Sequence, residues 1–468
     1  MEKKRSSFTS TIGFMLASIG SAIGLGNLWG FPYKMGANGG FPFLLTYLFF
    51  VIICGVVVMG LEMVYGRSSR RSPVYALAAI GRKYAFVGWF GVISATVIMG
   101  FYGLLVGYAL RYLVGFGAQI FGISGFGGLV GGDFFSAYTA DSVQVLIYTA
   151  LVVILCAVII STGVDKGIEK FNKMGMPALF ALLVIIIIYN LTLPGSVQGL
   201  QFMFTSKGLE LAGAEFDFFK TVRAAAGQML FSCSLGMGIM ITYGSYMDDS
   251  ANISRCAWII PAADTCAAIL AGLAIFPAVF ARGQSPAGGV GLLYKTLHMT
   301  FSSMGYIGNI MGFLFYLLVI FAGLSSVISL MEVTTSHILD DDDIKGRPVN
   351  RGKAAFIAAA IILLISVPVG IDQLGGKGWA VYRFLGEDSR DFLDLLDFLT
   401  EGVMLPFGAM MMCIIGGWKW GLAKIDAEVE KNGSRFYTKK FFHICIRYVT
   451  PVLMAFVFVS LALSYLGK

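Results

Sequence analysis

The sequence predicts an all-α integral membrane protein: eleven transmembrane helices, in two inverted five-helix repeats with broken helices 1 and 6, plus one extra helix. Three observations predict it. The 468-residue chain is 57% hydrophobic and only 13% charged, with a mean hydropathy of +0.79, whereas a soluble domain carries about 25% charged residues. Its apolar residues fall into runs of membrane-spanning length. Two of those runs, far apart in the chain, are each cut by a glycine pair, Gly24-Leu25-Gly26 and Gly236-Met237-Gly238. A helix in lipid cannot leave backbone amides and carbonyls unpaired, so such breaks must be lined by protein or water. Either pair alone reads equally well as close-packing glycines. Matching breaks in two halves point to a binding site at mid-membrane.

Taken in order, the apolar runs place helices near residues 9–33, 41–66, 85–112, 143–162, 174–193, 218–247, 254–281, 304–338, 354–371, 392–418 and 440–467. The whole chain, 1–468, reads as one membrane domain, with the first repeat at about 9–193, the second at about 218–418 and the extra helix at about 440–467. The stretch STGVDKGIEKFNKMGMP reads as a cytoplasmic link opening a helix with Pro177 in its first turn, where proline is tolerated. The exterior loop around Gly115–Ser142 is rich in glycine and phenylalanine, and Thr205–Phe219 has the mixed charge of short surface helices. The start MEKKRSSF is basic and polar, unlike a cleavable signal peptide.

The net charge of +7 does not indicate a nucleic-acid partner. With the N-terminus inside, most of the 34 Lys and Arg fall in cytoplasmic segments, so the basic residues orient the chain N-in and C-out. The seven cysteines form no disulfide framework or zinc spacing, and the three histidines are scattered. An enzyme has little to build on. The acidic run Asp340–Asp343 lacks the glycine and spaced ligands of a calcium loop and reads as a solvated cytoplasmic cap. Glu62, an intramembrane carboxyl, is the best lone candidate for proton chemistry but has no partner acid or histidine in view.

Breaking a helix exposes amide donors on one half and carbonyl acceptors on the other. Such ends hold a carboxylate and cations without a full charge from the protein. Asn27, Ser232, Ser234 and the pair Ser325-Ser326 supply neutral oxygen atoms of the type hard cations prefer. Serines in membrane helices also back-bond to their own helix, which is the bland reading of that pair.

The segments GSAIGLGNLWGFPY, NGG at Asn38–Gly40, GLEMVYGR, KGIEKFNKMGMP, GQMLFSCSLGMGIMITYGSY and FAGLSSVISLME, in collinear order, closely resemble the neurotransmitter:sodium symporter family. The resemblance implies a bacterial, eleven-helix member in the cell membrane, in contact with lipid and importing an amino acid with sodium by alternating access. It implies two sodium sites. One would use carbonyls of Gly20, Ile23 and Ala322 with the hydroxyls of Ser325 and Ser326. The other would use the Ala22 carbonyl, Asn27, Ser232, the substrate carboxylate and Asp264. The substrate would lie among Ser21, Ala22, Gly24, Leu25, Gly26, Tyr102, Phe231, Ser232, Ser234, Met237, Ser329 and Leu330, with Tyr102 donating to its carboxylate and Phe231 as a lid. Arg5 with Asp340 would close the inner side, and Tyr102, Phe231 and Asp397 the outer side.

Three positions depart from the family pattern. Gly30 stands where many members have an arginine paired with the acid aligned with Asp397, so closure is expected from aromatic packing without an ion pair. Phe8 replaces a frequent tryptophan. In AADTC, Asp264 or, one residue off, Ala263 takes the place of an asparagine, and as Asp264 it would make chloride dispensable. Gly24, where monoamine carriers have aspartate, leaves room for a substrate with its own carboxylate. Nothing in the pocket would pair a charged side chain, which favours a large hydrophobic or aromatic L-amino acid. The alternatives are a symporter of a different small amino acid, a channel, or a sensor that binds without turnover; the oligomeric state is open.

Overall fold

The computed structural model describes residues 7–123, 131–212, 216–286, 291–302, 304–377 and 391–465. Among them there are helices and no strands. The first apolar run forms two helices, α1 (Thr11–Ala22) and α2 (Gly26–Ala37), bent by 43° at the break. Ser10 caps α1 by accepting from the Gly13 N–H at 3.0 Å. Pro32 lies inside α2, where a π-helical stretch, Gly26–Gly30, passes into regular α-helix. The long helices α3 (Phe41–Ser69), α4 (Arg82–Ile120) and α5 (Ser142–Ser161) follow, then α6 (Val164–Leu191).

The second broken run gives α7 (Phe218–Ser232), capped by Asp217, and α8 (Ile239–Ser245). The remaining spans are α9 (Ile253–Ala281), α10 (Gly305–Ile344), α11 (Arg351–Asp372), α12 (Phe392–Trp420) and α13 (Lys439–Ser460). Nine described helices are long and apolar enough to cross a membrane, and α1 with α2 makes a tenth. The α7–α8 pair falls short of that standard, so length and composition do not establish the eleventh span expected from the sequence.

Packing explains where the breaks lie. The scaffold helices α4 and α10 run side by side, and α1 lies against α6, α9 and α10. The α8 segment packs on α3, and α13 covers α12. Ile23 ends α1 in extended backbone, its N–H still bonded to the Ile19 carbonyl at 2.8 Å. In the second break Ser234, Gly236 and Gly238 take positive φ of 56°, 80° and 73°. A Cβ on Gly236 would sit 2.6 Å from the Leu405 carbonyl, so that turn fits against α12 only as glycine.

Several boundaries differ from expectation: α4 runs on to Ile120 instead of about 112, and α10 to Ile344 instead of about 338, so that Asp340–Asp343 lie in its last turns. The helix expected from about 174 begins at Val164, and Pro177 lies in its interior. The stretch 164–173 is charged, yet Val164, Gly167, Ile168, Glu169 and Asn172 turn inward. Glu169 accepts the Thr9 N–H at 2.8 Å, so this buried acid ties the charged link to the segment before α1.

Candidate functional site

The two breaks face each other and enclose a cavity lined by Ser21, Ala22, Gly26, Ile98, Tyr102, Phe231, Ser234, Met237, Ser326 and Leu330. Its free volume is about 20 Å³, room for roughly one water molecule. Tyr102 reaches across from α4 and accepts the Leu25 N–H at 2.6 Å, so its hydroxyl sits on the amide the break leaves open. The Gly24 N–H is taken by Asn27 Oδ1 at 2.9 Å. A Cβ on Gly24 would run into Ser326 Oγ and the Tyr102 hydroxyl. Phe231 closes over the cavity with its ring 6.2 Å from that of Tyr102.

On the cavity floor Ser234 Oγ donates to the Ser21 carbonyl at 3.0 Å, and Ser326 Oγ donates to the same oxygen at 3.0 Å. Ser21 Oγ donates to Ser329 Oγ at 2.7 Å. Ser329 thus stands behind the wall and braces Ser21. Met237 and Leu330 supply the apolar side together with Ile98, which sequence reasoning missed. Ile98 lies four residues before Tyr102 on α4, a spacing that puts both on one helix face.

Two clusters of oxygen atoms flank the first break. In one, Ser325 Oγ lies 2.8 Å from the Ala322 carbonyl and 3.4 Å from that of Ile23, with Ser326 Oγ 3.4 Å from Ala322. Gly20 lies on the α6 side, where a Cβ would collide with Asn172. In the other, Asp264 of α9 is fully buried and gathers four donors. Asn27 Nδ2 donates to Oδ1 at 2.7 Å, Ser232 Oγ to both oxygens at 3.0 and 2.9 Å, Tyr47 to Oδ2 at 3.1 Å and Cys233 Sγ at 3.4 Å. Asp264, and not Ala263, therefore faces Asn27. The Ser325 and Ser326 hydroxyls with their carbonyls, and the Asp264 and Ser232 oxygens, are hard oxygen atoms, the chemistry that sodium accepts. Among the described residues no group of three or more His, Cys, Asp or Glu could hold a metal.

Glu62 of α3 accepts the Gly236 N–H at 2.8 Å, which gives this buried carboxyl the task of pinning the second break. On the inner side Phe8 packs edge-on to Tyr243 and Tyr246, its N–H bonded to the Tyr246 carbonyl at 3.1 Å. Arg5 lies outside the described residues. Asp340 accepts the Ser72 N–H at 2.6 Å and lies 3.3 Å from Arg71 Nη1.

The outer side departs from the expectation of closure without an ion pair. Lys34 of α2 is paired with Glu401 of α12, and both side chains are largely buried. Sequence reasoning fixed on Gly30 and Asp397 and missed this pair, although each partner stands four residues further along its helix.

Broken helices around a pocket flanked by oxygen clusters, in a bundle of helices long and apolar enough to cross a membrane, define a helical-bundle membrane transporter. The chain belongs to the sodium:neurotransmitter symporter family, whose model matches residues 5–119 and 138–467. It is 31% identical over 472 residues to the uncharacterized sodium-dependent transporter YhdH of Bacillus subtilis, covering 98% of each chain. It is 23% identical over 513 residues to the sodium-dependent dopamine transporter of Bos taurus, covering 97% of this chain and 68% of that one. Among solved structures, MhsT in complex with L-phenylalanine superposes with a TM-score of 0.86 at 34% identity, over 98% of this chain and 100% of that chain. The chain is thus a membrane-embedded, sodium-coupled transporter of a small molecule.

Proposed function

We propose that this protein is a symporter that carries a large hydrophobic or aromatic L-amino acid inward with sodium by alternating access. The observation that carries the reading is the Gly24 position. Its missing side chain lets Tyr102 and Ser326 close on the break, which leaves no room for a protein carboxylate and favours a substrate that brings its own. The pocket's other wall is apolar, with Ile98, Met237 and Leu330. The relative bound to L-phenylalanine supports the same class. A cavity of about 20 Å³ must widen to admit such a guest, and unbranched Met237 is the wall residue best able to move aside.

Sodium would enter both oxygen clusters, one at Ser325, Ser326, Ile23 and Ala322 with Gly20, the other at Asn27, Ser232, Asp264 and Ala22. The Asp264 carboxylate supplies a fixed negative charge in the second cluster, so chloride is not required. The paired breaks support two repeats, each opening with a broken span, with α7–α8 as an eleventh span; the placement of Lys and Arg supports an N-in, C-out orientation. Competition of labelled L-tryptophan uptake by a panel of amino acids tests the substrate class. Phenylalanine, tyrosine and leucine should compete; dominance by glycine, glutamate or lysine would overturn it.

A further inference from the structure

A transporter pocket must be shut from outside each time it opens inside, and the lid contact of Phe231 with Tyr102 joins α7 to α4 without joining α2 to α12. Lys34 and Glu401 join those two. They lie on α2 and α12, on either side of α7, which carries the lid residue Phe231. Their side chains are 12% and 13% exposed, so the pair is shielded from the competing solvent that makes surface ion pairs weak. Glu401 sits in a π-helical stretch, Phe398–Met404, of the kind often found at functional positions.

The neighbours are shaped around this pair. A Cβ on Gly227 would come 2.8 Å from Glu401 Oε1, so the carboxylate passes close over α7 at a glycine. Lys34 Nζ lies 6.0 Å from the centroid of the Phe231 ring, a cation–π contact that ties the ammonium to the lid. One turn deeper, at Gly30, the Gln228 carboxamide fills the space, its Oε1 2.9 Å from where a Cβ would stand. Gln228 Nε2 donates to the Gly26 carbonyl at 2.7 Å. At that level α2 and α7 are joined by a neutral amide. The charges that bind α2 to α12 stand one turn further out, because residues four apart share a helix face.

We propose that Lys34 and Glu401 form the outer closure of the pocket, an ion-pair clamp one helical turn outside Gly30 and Asp397, with Lys34 the positioning residue that holds the Phe231 ring shut. This rests on the transport reading above. A structural brace would stay made throughout. A clamp must break whenever the lid lifts, and removing either charge then exposes the pocket to the outside.

The test is cysteine accessibility in intact cells. Ser234→Cys places a reporter on the cavity floor, and a cationic methanethiosulfonate reagent is added outside in potassium buffer, with the chain lacking that substitution as background. Glu401→Gln and Lys34→Met should each raise the labelling rate about tenfold. The charge exchange Lys34→Glu with Glu401→Lys, and Lys34→Arg alone, should stay near the parent rate. Simple electrostatics predicts instead that Lys34→Met speeds and Glu401→Gln slows a cationic reagent. Opposite shifts, no shift, or an exchanged pair as fast as the single variants would overturn the clamp. If one single variant does not survive gel filtration as a monodisperse species, the other and the exchanged pair give the same comparison. Labelling needs no substrate, so absent amino-acid uptake by the parent would sink the transport reading while leaving this result to stand or fall separately.

Discussion

Asn27 donates its side-chain amide to the Asp264 carboxylate at 2.7 Å and accepts the Gly24 N–H through its other atom at 2.9 Å. One residue thus links the open backbone of the first break to a buried negative charge on α9. Burying a carboxylate among neutral donors is costly unless a cation joins it. Sodium beside Asn27 and Ser232 would offset that cost, and a second anion there would be repelled.

Chloride dependence follows from this geometry. Replacing chloride by gluconate should leave uptake unchanged in the native chain. Asp264→Ser removes the fixed charge and should make uptake respond to chloride. Loss of native uptake in gluconate would show that Asp264 does not stand in for the anion.

The oxygen cluster at the other side of the break predicts a sodium phenotype. Ser325 Oγ is 2.8 Å from the Ala322 carbonyl, and Ser326 Oγ is 3.0 Å from that of Ser21. Ser325→Ala and Ser326→Ala each remove one oxygen atom without adding bulk. A lost ligand to a charged group amounts to about 1.5–3 kcal/mol, so the sodium concentration for half-maximal binding should rise about tenfold or more. Sodium titrations of substrate binding that coincide with the native curve would contradict the assignment.

Gly24 should tolerate no side chain. The clash of a Cβ with Ser326 Oγ and the Tyr102 hydroxyl means that Gly24→Ala disrupts the Leu25–Tyr102 bond on which the break rests. Overpacking of this kind costs about 1–3 kcal/mol. Binding in Gly24→Ala should weaken about tenfold or more while the protein remains monodisperse, and Gly24→Asp should bind less still. Equal affinity of Gly24→Ala and the native chain in equilibrium binding would refute this account of the pocket.

The lid and the acid beside it should separate. Phe231 covers the cavity and contacts both Tyr102 and Lys34, whereas Glu401, not Asp397, pairs with Lys34. Phe231→Ala should lose most transport and Asp397→Asn should keep much of it. Initial uptake rates in the reverse order would mean that Asp397 performs the gating.

Much of this was legible in the sequence because lipid permits few solutions. The breaks at Gly24 and Gly236 could be read directly, since interrupted helices at membrane depth need glycine and a lined cavity. Most helix ends fell within a few residues of their observed places. The start of α6 did not, because Asp165, Lys166, Lys170 and Lys173 hide a helix whose opposite face is buried. The choice between Asp264 and Ala263 depends on the rotation of α9 about its axis, which only the fold supplies. The Lys34–Glu401 pair escaped for a related reason. Its partners are 367 residues apart, and nothing local says which of several acids on α12 a lysine on α2 will meet.

Sodium-driven import of a hydrophobic amino acid is tested by uptake of labelled L-phenylalanine or L-tryptophan into proteoliposomes. An inward sodium gradient should drive accumulation that vanishes when sodium is replaced by potassium on both sides, and unlabelled leucine should compete. Accumulation of equal extent in potassium alone, or sodium-dependent binding with no accumulation, would contradict it.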